Sequence, residues 1–334
     1  MSIIHILVGL LPVLIFLAAL IYLDSYKLIR FRSVLIAIGA GCCSALVALV
    51  VNTAIMQNQG ISWGAYSNYV APVIEELLKA SFLIYLFRAK KVGFMVDAAL
   101  YGMAIGAGFA CTENIVYLTD ITEANILFWL VRGFGTAMMH GGATAFVGII
   151  ARSLSDVYPT GAVRAFGLGL LLAIVFHSVF NHFIVDPVTS TALILVVLPS
   201  LMMFIFRRSE EATRKWLGVG LDSDLELLNL IETGNLPDSN IGRYLTTLKE
   251  RFPAMVIGDM LSYLGLYTEL SMRAKGILMM HEGGFHVPKD PEIKSKFLEL
   301  HYLEKSIGTT GRMAILPVLR VSSRSLWQLE LLQE

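Results

Sequence analysis

The residues of this sequence best suited to chemistry are glutamates and histidines set inside apolar runs. APVIEELLKASF carries Glu75, Glu76 and Lys79, GFACTENIVYL carries Glu113 and Asn114, MMHGGATAFVG carries His140, and FHSVFNHF carries His177, Asn181 and His182. A charged side chain at the centre of a membrane span costs about 2.5–3.5 kcal/mol on insertion scales, so such groups mark an internal cavity and a function. Peptide hydrolysis needs a nucleophilic water, a donor or electrophile for the developing oxyanion, and an acid for the leaving amine. Two histidines with a glutamate form the ligand set of many hydrolytic zinc sites, with a further glutamate free as base. His140, His177 and Glu113 suit a zinc ion in this way, with Glu76 activating its water. The same residues permit a metal-free version, in which Glu76 activates water directly and His177 with Asn181 stabilises the oxyanion. There is no HExxH metal helix, no membrane-embedded GxSxG and no suitably placed pair of aspartates. Asp97 stands alone and reads as a charge at the cytoplasmic interface.

Helical spacing sorts these groups. Glu75 and Lys79 are four apart in the order that favours an ion pair, which turns Glu76 about 100° away and predicts one structural and one chemical glutamate. His177 and Asn181 share a face, whereas His182 points elsewhere. At 1.5 Å per residue, Glu75, Glu113 and His177 lie about 9, 8 and 10 Å inside the outer ends of their spans. His140 joins that level, at about 12 Å, if Trp129 and Arg132 mark the interface. Gly102, Gly106, Gly108, Gly141, Gly142 and Gly148 would let the helices approach closely there.

The elements that must hold these groups are membrane spans. Of the 334 residues 56% are hydrophobic and only 16% charged, too apolar for a water-soluble core. Runs near the roughly 20 residues needed to cross a bilayer recur seven times, at about 3–23, 34–56, 69–87, 94–118, 126–150, 162–184 and 189–206, the last carrying Pro199. The first run has no basic segment before it and is followed by Lys27, Arg30 and Arg32, as in a retained span. Arg88, Lys90 and Lys91, then Arg152 and Arg164, then Arg207, Arg208, Arg214 and Lys215 fall on the same side of a seven-span chain. Positive loops face the cytoplasm, so the N-terminus is expected outside and the tail inside. The expected fold is all-α: a polytopic bundle over residues 1–206 and a helical cytosolic domain over 207–334. That tail holds 16 of the 26 Lys and Arg and 17 of the 26 Asp and Glu. In it Asp290 before Pro291 reads as an N-cap, and HEGGFH, with His281 and His286, as a solvated turn rather than a metal pair. The net charge of zero and the absence of basic runs exclude a nucleic-acid partner. Cys42, Cys43 and Cys111 lie in apolar runs and offer no disulfide framework.

Taken in order, EExxK at Glu75, Glu76 and Lys79, FxxxEN at Phe109, Glu113 and Asn114, a histidine followed by small residues at His140, and HxxxN at His177 and Asn181 resemble the PrsW intramembrane proteases. These are distantly related to the CAAX prenyl proteases. The resemblance covers about Pro72 to Asn181 and leaves the tail after Arg207 uncovered. It implies a metalloprotease of the bacterial cell membrane whose glutamates and histidines form the active site, with membrane-anchored regulatory proteins such as anti-sigma factors as substrates. The CAAX-type relatives have a histidine where this chain has Glu113, which disfavours prenylated substrates. Two readings from other classes compete: an ion- or proton-coupled transporter, which also needs carboxylates in its spans, and a signalling scaffold whose polar cluster is structural.

Overall fold

The computed structural model describes residues 3–26, 29–121, 124–157, 162–285, 287, 290–319 and 332, and every regular element among them is helical. Lys27 and His286 lie outside the described residues. Packing divides the chain into two compact units, Met1–Ser209 and Glu210–Glu334.

The first unit contains α1 (Ile3–Leu23), α2 (Phe31–Gln59) and the short α3 (Trp63–Ala65), which passes through a π-helical turn (Tyr66–Val70) into α4 (Ala71–Arg88). It continues with α5 (Met95–Asp120), α6 (Ile126–Leu130), a second π-helical stretch (Val131–Thr136), α7 (Ala137–Val157), α8 (Ala162–Asn181) and the first part of α9 (Pro187–Glu232). Among the described residues six helices are long and apolar enough to cross a membrane. The expected third span, α4, is not among them, because its 18 residues include Glu75, Glu76, Lys79 and Arg88. It buries Glu76, Lys79, Ala80 and Leu83 and exposes Val73, Leu77 and Tyr85, so Glu76 and Lys79 turn into the protein while an apolar face turns out. Helix α9 runs on past Phe206, where the last span is expected to end, to Glu232, with Pro199 inside it. Proline removes one backbone bond, a loss that membrane helices tolerate where neighbours satisfy the freed carbonyl.

Helix α5 is the centre of the bundle, with Ala98 to Ala110 buried throughout. Glycines bring its neighbours to backbone contact. A Cβ on Gly106 would lie 2.4 Å from the His140 carbonyl oxygen, and one on Gly102 2.5 Å from that of Thr144, so α7 rests directly on α5. On the opposite side Gly41 and Gly108 let α2 meet α5, where a Cβ would come within 1.9 Å of Ile105 O and 2.0 Å of Ile38 O. Without a hydrophobic drive between helices in lipid, such close packing is the main attraction available. Exposed leucines, valines and phenylalanines, among them Val50, Leu171, Val196 and Phe204, cover the outside of the bundle, as lipid requires.

The second unit holds the remainder of α9, α10 (Asn240–Leu248), α11 (Ala254–Glu282) and α12 (Glu292–Leu319) around a core with Met260, Leu264, Leu270, Ala274 and Ile315 fully buried. Asp290 acts as the expected cap, its Oδ1 accepting from Glu292 N at 2.9 Å. Gly284, at φ 76°, makes the turn after α11.

The α5–α7 contact generates a first test. Gly106→Ala forces α5 away from His140 and is expected to cost about 1–3 kcal/mol, read as a lowered thermal midpoint in detergent. Gly39→Ala, whose Cβ meets nothing within 4 Å, should leave the midpoint intact.

Candidate active site

Four helices converge on one polar cluster, and local backbone chemistry explains how α8 finds its place. Pro72, in the first turn of α4, has no N–H for the carbonyl of Asn68, and the Ala71 N–H bonds back to Tyr66 O in the π-helical turn instead of to Ser67 O. Two carbonyls are thereby freed, and both are taken by α8. Ser178 Oγ donates to Asn68 O at 2.6 Å and Asn181 Nδ2 donates to Ser67 O at 2.9 Å. The docking sets His177, on the same helix, beside Glu75 and Glu76. Asn181, expected at the oxyanion, lies on the cavity wall with its amide tied to Ser67.

Lys79 is the hub. Sealed at 0% exposure, its ammonium donates to Glu76 Oε1 at 2.5 Å and to His140 Nδ1 at 3.0 Å, and lies 4.7 Å from the centre of the Phe109 ring. The Glu75–Lys79 pair expected from spacing is therefore replaced by Glu76–Lys79, three apart and equally allowed on one helix face. An ammonium has no acceptor, so His140 Nδ1 accepts and its Nε2 carries the proton that goes to Glu113 Oε2 at 3.0 Å. His177 Nδ1 donates to Glu76 Oε1 at 2.8 Å, which leaves the lone pair of Nε2 toward Glu75 Oε2, 3.8 Å away. The two imidazoles stand edge to face with centres 4.7 Å apart. His182 bonds to the Ser178 carbonyl and packs on Tyr69, outside the cluster.

Glu113, expected as a metal ligand, lies on the cavity wall beside His140. Arg132 Nη2 lies 3.3 Å from its Oε2, and the guanidinium is held by Asn114 Oδ1 at 2.8 Å and stacked 3.6 Å from the Tyr117 ring centre. Asn114 Nδ2 donates to Gly9 O on α1 at 2.7 Å, so both ends of its amide are committed to holding the framework. Arg132, read as an interface marker from sequence, is buried within the π-helical stretch that feeds α7. The signal for it was an arginine in an otherwise apolar run. Asn52 and Tyr66 also reach the site, near Glu75, and carried no motif.

A cavity of about 980 Å³ reaches the cluster, with Glu75, Glu113, Arg132, His140 and His177 on its wall among Leu49, Phe109, Phe128 and Phe180. Glu76 and Lys79 lie behind that wall. Glu75, His140 and His177 each offer a ligand atom within 4.8 Å of the others. Charge supports the same group. Glu76 is neutralised by Lys79 and Glu113 by Arg132, while Glu75, among the described residues, has its ion-pair contact only with His177. Two imidazoles and an unbalanced carboxylate fit a divalent metal. A metal at His140 Nε2 would displace the proton now shared with Glu113.

The buried ion pair yields the second test. Lys79→Met strands Glu76 and should destabilise the protein by about 3–5 kcal/mol, measured by thermal unfolding in detergent. The double variant Glu76→Leu with Lys79→Met should regain most of that stability, because no buried charge is then left without its counter-charge.

Comparison of the sequence with protein families supplies an independent finding. The family model described as PrsW family intramembrane metalloprotease matches residues 30–207, more than half of the chain and the whole of the cluster. Comparison with curated proteins and with solved structures found no match. With its apolar helices, its His/Glu group able to hold a metal and this match, the chain belongs to the PrsW family of intramembrane metalloproteases and is a multi-pass membrane peptidase.

Proposed function

We propose that the protein cuts membrane-anchored protein substrates within the outer half of the bilayer, with zinc held by Glu75, His140 and His177 and with Glu113 as general base. The observation that carries this reading is the division of the three glutamates: Glu76 pairs with Lys79, Glu113 with Arg132, and Glu75, whose ion-pair contact among the described residues is with His177, groups with both histidines as possible ligands. When bound there, zinc would supply a Lewis acid for the water and the scissile carbonyl. Glu113, 26% exposed by its side chain and on the cavity wall, takes the proton of the attacking water. Arg132 Nη2 lies 3.3 Å from Glu113 Oε2 and supplies the counter-charge of the carboxylate. As the carbon–nitrogen bond breaks, Glu113 returns that proton to the leaving amine, so the carboxylate is regenerated. Glu76 and Lys79 hold the imidazoles from behind through His177 Nδ1 and His140 Nδ1. The apolar walls suit the side chains of an unwound transmembrane segment and limit access of bulk water. Basic loops on one side of the chain support an N-terminus outside and a tail in the cytoplasm, an orientation that suits a first cut near the extracytoplasmic end of a single-span regulator of the anti-sigma type.

A second reading keeps Glu76 as base and has its own observation: Glu76 Oε2 is buried without a hydrogen-bond partner. One experiment separates the two. With purified protein and a single-span substrate, Glu113→Gln should lower the cleavage rate about 10²–10⁴-fold with zinc content unchanged, whereas Glu75→Gln should lose zinc and cleavage together. A chelator should stop the wild type, and added zinc should restore it. Cleavage that survives Glu113→Gln but fails in a folded Glu76→Gln variant would move the base to Glu76.

A further inference from the structure

Glu75 is aimed by two residues of other elements. Its Oε1 accepts from Asn52 Nδ2 on α2 at 3.2 Å, and Asn52 Oδ1 accepts from the Tyr66 hydroxyl at 2.9 Å. An ionised carboxylate only accepts. Asn52 must therefore turn its NH2 group to Glu75 and its carbonyl to Tyr66, and Tyr66 must donate. Tyr66 is 2% exposed and opens the π-helical turn that also offers Ser67 O and Asn68 O to α8. One turn thus fixes the place of His177 and the angle of the Glu75 carboxylate. With Oε1 occupied, Oε2 is the oxygen directed at His177 Nε2.

We infer that Tyr66 and Asn52 are positioning residues that orient Glu75 toward the histidine pair and so set the affinity for the metal. The inference rests on the metal reading above. Groups that orient a metal ligand typically change affinity about 10–100-fold when removed. Without the Tyr66 hydroxyl the Asn52 amide is free to turn over, and its carbonyl would then face the Glu75 carboxylate.

The test is a double-variant cycle on the detergent-purified full chain, with zinc alone as the probe and competition against a chromophoric chelator as the readout. Tyr66→Phe should weaken zinc binding about tenfold, Glu75→Gln should weaken it further, and the combination should match Glu75→Gln alone, because the hydroxyl acts only through that carboxylate. Wild-type affinity in Tyr66→Phe, or full additivity in the double variant, overturns the relay while Glu75→Gln still upholds the metal site. A wild-type protein that takes up no zinc overturns the metal reading and the relay with it. Thermal midpoints of the single variants separate loss of zinc from loss of fold.

Discussion

The constraint on which the rest of the structure depends is that an ionised group inside a bilayer must find its counter-charge within the protein. Lys79 meets it for α4. With one ammonium held by Glu76, His140 and the face of Phe109, it joins three helices at a point closed to water and lipid. Arg132 does the same near the cavity, linking Glu113 and Asn114 of α5, and through Asn114 the backbone of α1. A polar chain runs from His177 through Glu76, Lys79, His140, Glu113 and Arg132 to Gly9, and each link limits the rotamer of the next.

The backbone contributes as much as the side chains. Close glycine contacts bring α5 to α7 and α2, so the polar groups meet at hydrogen-bond range rather than across lipid. The two π-helical stretches flank the site on either side, one freeing carbonyls for α8 and one turning Arg132 inward. Such stretches are often found at functional sites because one extra residue in a turn re-aims the side chains that follow.

Much of this was readable in the sequence. Charges inside apolar runs have no cheap structural explanation, so Glu75, Glu76, Glu113, His140 and His177 stood out, and their depths placed them on one level. The partners were harder. Lys79 is on the same helix face as both Glu75 and Glu76, and only the position of α2 and α8 sends Glu75 to Asn52 and Glu76 to Lys79. Arg132 resembled an interface anchor because a long arginine side chain can reach the surface from there; Glu113 and Tyr117 draw it inward instead. A 3.6-residue period cannot reveal a π-helical turn, which is why the roles of Tyr66 and Asn181 were hidden. Membership of the peptidase family sets aside the transporter and scaffold readings that composition alone had left open.

The proposed metal site consists of two imidazoles and the Glu75 carboxylate, whose ion-pair contact among the described residues is with His177. X-ray absorption at the zinc edge of the purified, cleavage-competent chain examines that shell directly. It should show imidazole scattering from two histidines with nitrogen and oxygen ligands at about 2.0–2.2 Å and no sulfur. A shell without imidazole, a shell containing thiolate, or an active preparation devoid of metal would contradict it.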